Sequence, residues 1–472
     1  MNDPVVADAV AVYLISLGCS KNLVDSENMS GILTDNGYKI TLDPMEAEVI
    51  VVNTCGFLQS AVREAIDMLL EMADYKVMGS CDFLIVTGCM SQRYANEIQQ
   101  ELPEVDAILG TKSYFEIADV LNELYQKRAV KAGSSTVLCG EAKAPPLIRR
   151  STAPEDALRH LSAKRPVSTG PYAYLKVSEG CDKGCAYCAI PGIRGGLCSR
   201  PMSDLVAEAN YLAQIGIKEV ILIAQDTTAY GLDRYGERRL AQLIREIAPI
   251  KGIERIRFLY AYANGMTDEL LSVMREESKV VQYVDLPIQH ASDSVLRAMN
   301  RADTHEFLAR TFSRIREALP DCALRTTVMV GFPGETEQDF EELCDFVREI
   351  EFDHLGAFVF SPEEGTRAFK MRPLVAESKA RRRSDTIMEI QRTIVERKNL
   401  AKIGQSTSVL IESVSDDGIF YIGRAPFQAP EVDPVTYVAS PIPLKIGAIH
   451  PVTIVDHCEY DLTGVLNYES SK

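Results

Sequence analysis

The stretch Glu179–Cys188, EGCDKGCAYC, sets three cysteines, Cys181, Cys185 and Cys188, close together at the end of the apolar, β-rich run YAYLKVS (172–178). Thiolates are soft ligands suited to zinc, copper(I) and iron–sulfur clusters. Structural zinc takes four protein ligands and a four-iron cluster usually takes four cysteines, yet no fourth donor lies nearby in sequence. A triad leaves one metal position open to a substrate or cofactor. Further β-rich runs follow at EVILIAQ (219–225), RIRFLYA (255–261), VQYVDLP (281–287), LRTTVMVG (324–331) and HLGAFVF (354–360), with helical stretches between them. SDLVAEANYLAQIG (203–216) is one such helix, with Ser203 as its expected cap and Gly216 as its stop. Six βα units predict an open parallel barrel, since eight are needed to close a ring. A long helix is expected over 378–404, its RRR run (381–383) on a solvated face, with a nucleic-acid contact as the alternative.

Working outward, the first segment repeats the same alternation. AVYLISLG (11–18), EVIVVNT (48–54) and DFLIVTG (82–88) read as strands, with helices at SENMSGILTDNG (26–37) and AVREAIDMLLEMADYK (61–76). This predicts a second parallel α/β sheet. Each strand runs directly into a cysteine: Cys19, Cys55 and Cys89. Loops at the carboxyl ends of parallel strands gather on one side of a sheet, where ligands bind. The three thiols are therefore expected to converge on a shared metal or cluster; the alternative is three small buried residues. Cys81, Cys139, Cys322, Cys344 and Cys458 fit no such pattern and are read as structural, and Cys198 as a non-ligand.

The domain reading is an N-terminal α/β domain over 10–132, a linker over 133–168 with room for short strands, the partial barrel over 169–403, and a small antiparallel β-barrel over 404–472. The last rests on short β-rich runs separated by Gly, Pro and Asp turns. A length of 472 residues suits roughly three domains. No apolar run reaches the roughly 18 residues of a membrane span and the N-terminus lacks a secretory pattern, so a cytoplasmic protein without a membrane partner is expected. In that compartment 12 cysteines are not a disulfide framework. The formal net charge of −17 disfavours general nucleic-acid binding and suits a basic partner. The tail shares the bias, with three basic residues (Arg424, Lys445, Lys472) against nine acidic ones.

The CxxxCxxC loop after the first strand of a partial barrel resembles the radical S-adenosylmethionine (SAM) enzymes. With three strand-end cysteines upstream and a small β-barrel downstream, the chain resembles the methylthiotransferases of that superfamily over almost its whole length. The motifs SLGCSKNLVDSENM (16–29), VNTCGF (52–57), TGCMSQRY (87–94), SEGCDKGCAYCAIPGIRG (178–195), PIQHASD (287–293), GFPGETEQDF (331–340) and GRAPFQAPEVD (423–433) are similar to the branch that acts on small-subunit ribosomal protein S-twelve. The YGCQMN-like and GCNxxCTYC motifs of the tRNA-modifying branch are absent. Cys198 and the middle of GRAPFQAPEVD depart from the family pattern, the second bearing on substrate docking by the TRAM-like tail.

The resemblance implies two [4Fe-4S] clusters, one on Cys19, Cys55 and Cys89 and one on Cys181, Cys185 and Cys188. It implies SAM at the open iron of the second, with Tyr187 near the adenine. The implied reaction replaces a hydrogen on the β-carbon of an aspartate of protein S-twelve with a methylthio group. It consumes two SAM molecules and draws electrons from a partner such as flavodoxin or ferredoxin; tRNA binding is not expected. Among weaker candidates, Gln225 and Asp226 end the second barrel strand, where polar contact with SAM or substrate competes with capping by Asp226. Gly331 could let backbone approach SAM, or could serve a tight βα turn. His290 is read as structural before catalytic. The alternatives are a tRNA methylthiotransferase with the same cofactors, and a non-enzymatic iron–sulfur electron carrier.

Overall fold

The computed structural model describes residues 9–133, 145–151, 153, 158 and 164–467. Cys139 and most of the expected linker lie outside them.

The N-terminal segment forms a six-stranded, all-parallel sheet of β1 (Ala11–Ser16), β2 (Lys39–Thr41), β3 (Val49–Thr54), β4 (Phe83–Gly88), β5 (Ala107–Gly110) and β6 (Leu147–Arg149). The order across it is β2-β1-β3-β4-β5-β6. β3 and β4 are buried along their whole length, which is why they read as unbroken apolar runs. The strand β6 lies within the stretch read as a linker, which left room for short strands, and adds three of its residues to the sheet. The first helix spans Ser20–Asp35 and so begins well before the expected Ser26. Its early turns carry buried polar side chains, which hide the apolar periodicity of an amphipathic helix.

The central segment has the six expected parallel strands. β7 (Tyr172–Lys176) leads into a two-residue antiparallel clasp, β8 (Ser178–Glu179) with β9 (Cys198–Ser199), which closes the base of the three-cysteine loop. β10 (Glu219–Ile223), β11 (Arg255–Phe258), β12 (Tyr283–Asp285), β13 (Ala323–Val330) and β14 (His354–Val359) complete the array. The array is two three-stranded sheets, β7-β10-β11 and β12-β13-β14. Bonds such as Ala261 N–H to the Asp285 carbonyl (2.8 Å) join them. Its hollow is filled by Tyr172, Tyr174, Ile221, Ile223, Leu259 and Tyr283, against which Val24 of the first helix packs. Two local expectations change. The helix Met202–Gln214 is capped by Pro201 backbone, and the Ser203 hydroxyl donates to Asp204 at 3.1 Å. In the helix Glu377–Lys402, Arg381 and Arg382 are exposed, but Arg383 is buried against Glu335 (2.8 Å) and Glu337 (3.1 Å), so RRR is not one solvated face.

The tail closes into a barrel of β15 (Ser406–Val414), β16 (Tyr421–Arg424), β17 (Thr436–Ala439), β18 (Ile449–Cys458) and β19 (Asp461–Leu466). It is antiparallel except for β17 beside β19, which run parallel. The segment GRAPFQAPEVD seats this barrel on the starts of the central strands. Glu219 binds Arg257 and Arg424, each at 2.7 Å, and Arg424 also binds Glu412. Arg255 donates to the carbonyls of Arg424 and Ser408, Tyr283 Oη to Asp433 at 2.7 Å, and His354 Nε2 lies 2.7 Å from the Phe427 carbonyl. Burial opposes the charge of Glu219, yet Arg424, Arg257 and Arg255 outweigh it and bring its pKa down to about 2. The tail's one described arginine and two of its carboxylates are thus spent within the seam. Asp416, Asp417, Glu431, Asp456 and Glu459 remain exposed, with Lys445 as the exposed cation among its described residues.

Candidate active site

The carboxyl ends of both parallel sheets open on one cavity of about 320 Å³. All six predicted cysteines line it: Cys19, Cys55 and Cys89 from one domain, Cys181, Cys185 and Cys188 from the other. Among the described residues, no group of three or more His, Cys, Asp or Glu side chains is set to hold a single metal ion. Cys198 is not among the lining residues, and Cys81, Cys322 and Cys344 are buried elsewhere, while Cys458 is exposed on the tail barrel.

Asn22 explains why the first three cysteine loops meet. Its amide nitrogen donates to the carbonyls of Leu17 (2.9 Å) and Thr54 (3.1 Å), and its Oδ1 accepts from the Cys89 thiol at 3.7 Å. One side chain therefore touches all three loops. The approach is close enough to demand glycine at Gly18, where φ is +92° and an added Cβ would lie 2.8 Å from Cys55 Cβ. At Gly88 (φ +98°) a Cβ would meet Asn53 Oδ1 at 2.3 Å.

The same Asn22 Oδ1 accepts from Arg194, at 2.5 Å, and Arg194 reaches across the seam between domains. Its guanidinium is buried and binds Asp25 of the first helix (3.2 Å) and Glu179, two residues before Cys181 (2.8 Å). Lys176 binds the same two carboxylates. Two cations thus meet two carboxylates out of water, which satisfies a charge that burial alone would forbid. Burial opposes ionisation of Glu179, but Arg194 and Lys176 hold its carboxyl well below the usual range.

Burial pushes most of the site's thiols up: Cys89 and Cys181 to about 11 and Cys188 to about 12. Cys19 moves the other way. It is exposed to the cavity yet enclosed by protein; burial raises its pKa, but Lys21, Arg194 and nearby backbone N–H groups prevail and lower it. Burial raises Cys55 as well, so ligation of Cys55, Cys89, Cys181 and Cys188 must displace protons as metal binds.

Of the predicted SAM contacts, Tyr187 and Gln225 line the cavity. Gln225 donates to Glu179 at 2.7 Å, and its buried Oε1 has no hydrogen-bond partner. Asp226 and Gly331 are not among the lining residues. Asp226 accepts from Ala229 N–H (3.1 Å) and Thr228 Oγ1 (2.6 Å), the capping alternative, and pairs with Lys183 at 3.2 Å. Gly331 makes a turn with φ +78°, where a Cβ would strike Ala380. His290 is buried away from the cavity, accepting from Ser292 N–H at 3.0 Å, and burial lowers its pKa to about 3. It is neutral and structural; its neighbour Gln289 is the one that lines the cavity, held at φ 69°. Sequence reasoning also missed Lys21, Arg194, Tyr260, Tyr262 and Arg301 as lining residues. Lys21 and Arg194 stood inside quoted motifs, and that was their one available signal.

Three family models match successive stretches of the chain. Residues 11–110 match the family model described as uncharacterized protein family UPF0004, residues 175–347 the radical SAM superfamily, and residues 403–466 the TRAM domain. In fold, the chain is similar to a radical S-adenosylmethionine methyltransferase, TsrM, from Kitasatospora setae (TM-score 0.52, 15% identity, 74% of this chain and 72% of that one). In sequence it is similar to proteins named ribosomal protein uS12 methylthiotransferase RimO. The one from Clostridioides difficile is 44% identical over 97% of this chain and 99% of its own. The one from Acetivibrio thermocellus is 48% identical over 98% and 99%. Identity of that order across three domains and nearly the full length of both chains leaves one conclusion: this protein belongs to the RimO family of radical SAM methylthiotransferases.

Proposed function

We propose that the chain adds a methylthio group to the β-carbon of an aspartate in small-subunit ribosomal protein S-twelve. The observation that carries this reading is the single cavity lined by six cysteines from two domains. The donor sets fit two [4Fe-4S] clusters: each is three soft thiols, one short of the four cysteines that such a cluster usually takes. Cys19, Cys55 and Cys89 would hold one cluster, and Cys181, Cys185 and Cys188 the other. Tyr187 and Gln225, whose Oε1 has no hydrogen-bond partner, line the same cavity and would contact SAM there. When bound, these groups supply the electron, the hydrogen abstraction and the sulfur, chemistry that no acid or base does at an unactivated C–H bond.

The chain's own residues do the positioning. Asn22 gathers three loops, Arg194 and Lys176 lock the first helix to the barrel, and Tyr260, Tyr262 and Phe57 line the cavity. Tyr260 and Gln289 hold left-handed backbone at strand ends, strain that clusters at functional sites.

The exposed carboxylates of the tail favour a basic protein as substrate and disfavour tRNA, an anion. A flavodoxin or ferredoxin would supply electrons. The reaction would take place in the cytoplasm, which keeps thiols reduced; among the described residues no helix is long and apolar enough to cross a membrane.

The test offers anaerobically reconstituted protein, with SAM, sulfide and reductant, either recombinant protein S-twelve or unmodified tRNA. Mass spectrometry should find a methylthio group on an aspartate of the protein alone. Modification of tRNA alone would reject the substrate and keep the chemistry.

A further inference from the structure

We infer that Lys21 is the residue that recognises the carboxylate of the target aspartate; this rests on the function proposed above. The cavity is lined by four cations, Lys21, Lys183, Arg194 and Arg301, and no carboxylate is among its lining residues. An aspartate entering it brings a negative charge out of water and requires a cation with donors to spare.

Three of the four are already paired. Lys183 binds Asp226 at 3.2 Å, Arg194 binds Asp25 and Glu179, and Arg301 binds Asp303 at 2.8 Å. Lys21 pairs with no carboxylate among the described residues. Its ammonium instead rests on the face of Tyr260, 3.2 Å from the ring centroid. A cation–π contact pins a long side chain and turns only one side of its ammonium to the ring, so N–H donors remain and the charge is fixed in place and still available.

The shelf is itself held. Tyr260 stands at φ 63°, its N–H donates to Asp285 at 2.9 Å, and its hydroxyl lies 3.4 Å from Ser20 Oγ. Lys21 lines the same cavity as Cys19, Cys55 and Cys89, so a carboxylate bound to it would hold the adjacent β-carbon in the space that the first triad faces. Anchoring both ends of so short a side chain fixes the carbon that must react.

The test measures binding of labelled protein S-twelve, and of its Asp→Asn form at the target residue, to the cofactor-free full-length chain. It also measures KM and kcat on the reconstituted enzyme. The wild-type chain should prefer the Asp form by about 10- to 100-fold, the range of one charge-assisted hydrogen bond. Lys21→Met should bind both forms alike and raise KM, and Lys21→Arg should restore part of the preference. A Lys21→Met chain that keeps the wild-type preference overturns the assignment. If that variant fails to fold, equal affinity of the wild-type chain for the two forms overturns it. A wild-type enzyme that leaves protein S-twelve unmodified overturns the function itself, and the assignment with it.

Discussion

Replacing Arg194 by methionine should loosen the joint between the two cysteine-bearing domains. The wild-type joint balances Arg194 and Lys176 against Asp25 and Glu179, all buried. Without the guanidinium, two carboxylates share one ammonium, and Asn22 Oδ1 loses its 2.5 Å donor. Removing one partner of a buried ion pair costs about 3–5 kcal/mol, because a charge is stranded out of water. At about 1.4 kcal/mol per tenfold, openings of the joint should become roughly 10²- to 10⁴-fold more frequent. Amide hydrogen exchange in the early turns of the helix Ser20–Asp35 reads those openings, and cofactor-free protein isolates the joint from any cluster. Adding Asp25→Asn removes the stranded charge and should recover at least about 1 kcal/mol as coupling. Exchange in Arg194→Met within threefold of wild type would refute the argument. So would a double variant that is no better protected than the single one.

Two further outcomes follow from the geometry. Cys185→Ala should abolish SAM cleavage while the protein still takes up iron on Cys19, Cys55 and Cys89, read as iron content and spectrum after reconstitution; loss of both clusters together would contradict two separate sites. At the tail, Glu219 has a folded pKa of about 2 against an ordinary 4.5, so its contribution is complete above pH 4.5 and is lost as pH falls toward 2. The difference is worth about 3 kcal/mol, so Glu219→Gln should be less stable near neutrality and should flatten acid unfolding over that window; an unchanged acid profile would show that the seam does not depend on its charge.

The cysteines were legible because each follows an apolar run, and strand direction does the rest. The polar groups that organise the site were not. Asn22, Asp25 and Arg194 carry no periodic signal, and their burial depends on partners up to 172 positions away in the chain. Two short strands were also missed: β2 and β5 have three and four residues, too few for alternation to show. In PIQHASD the titratable residue drew attention, yet the backbone turns at Gln289 and sends His290 into the core. The motif GRAPFQAPEVD was read toward substrate docking. Its Arg424 and Asp433 are spent on the barrel floor, a role visible only once Glu219, Tyr283 and Arg325 are seen waiting at the strand starts.

The cavity belongs to neither domain, since each supplies one wall and three thiols. The buried charges at its edge therefore act as a latch on the chemistry as well as on the fold. Parting the domains would widen access to both triads in the same event, so dissolved oxygen should damage them as a pair. Four charged side chains would then set how often two oxygen-sensitive centres are uncovered together.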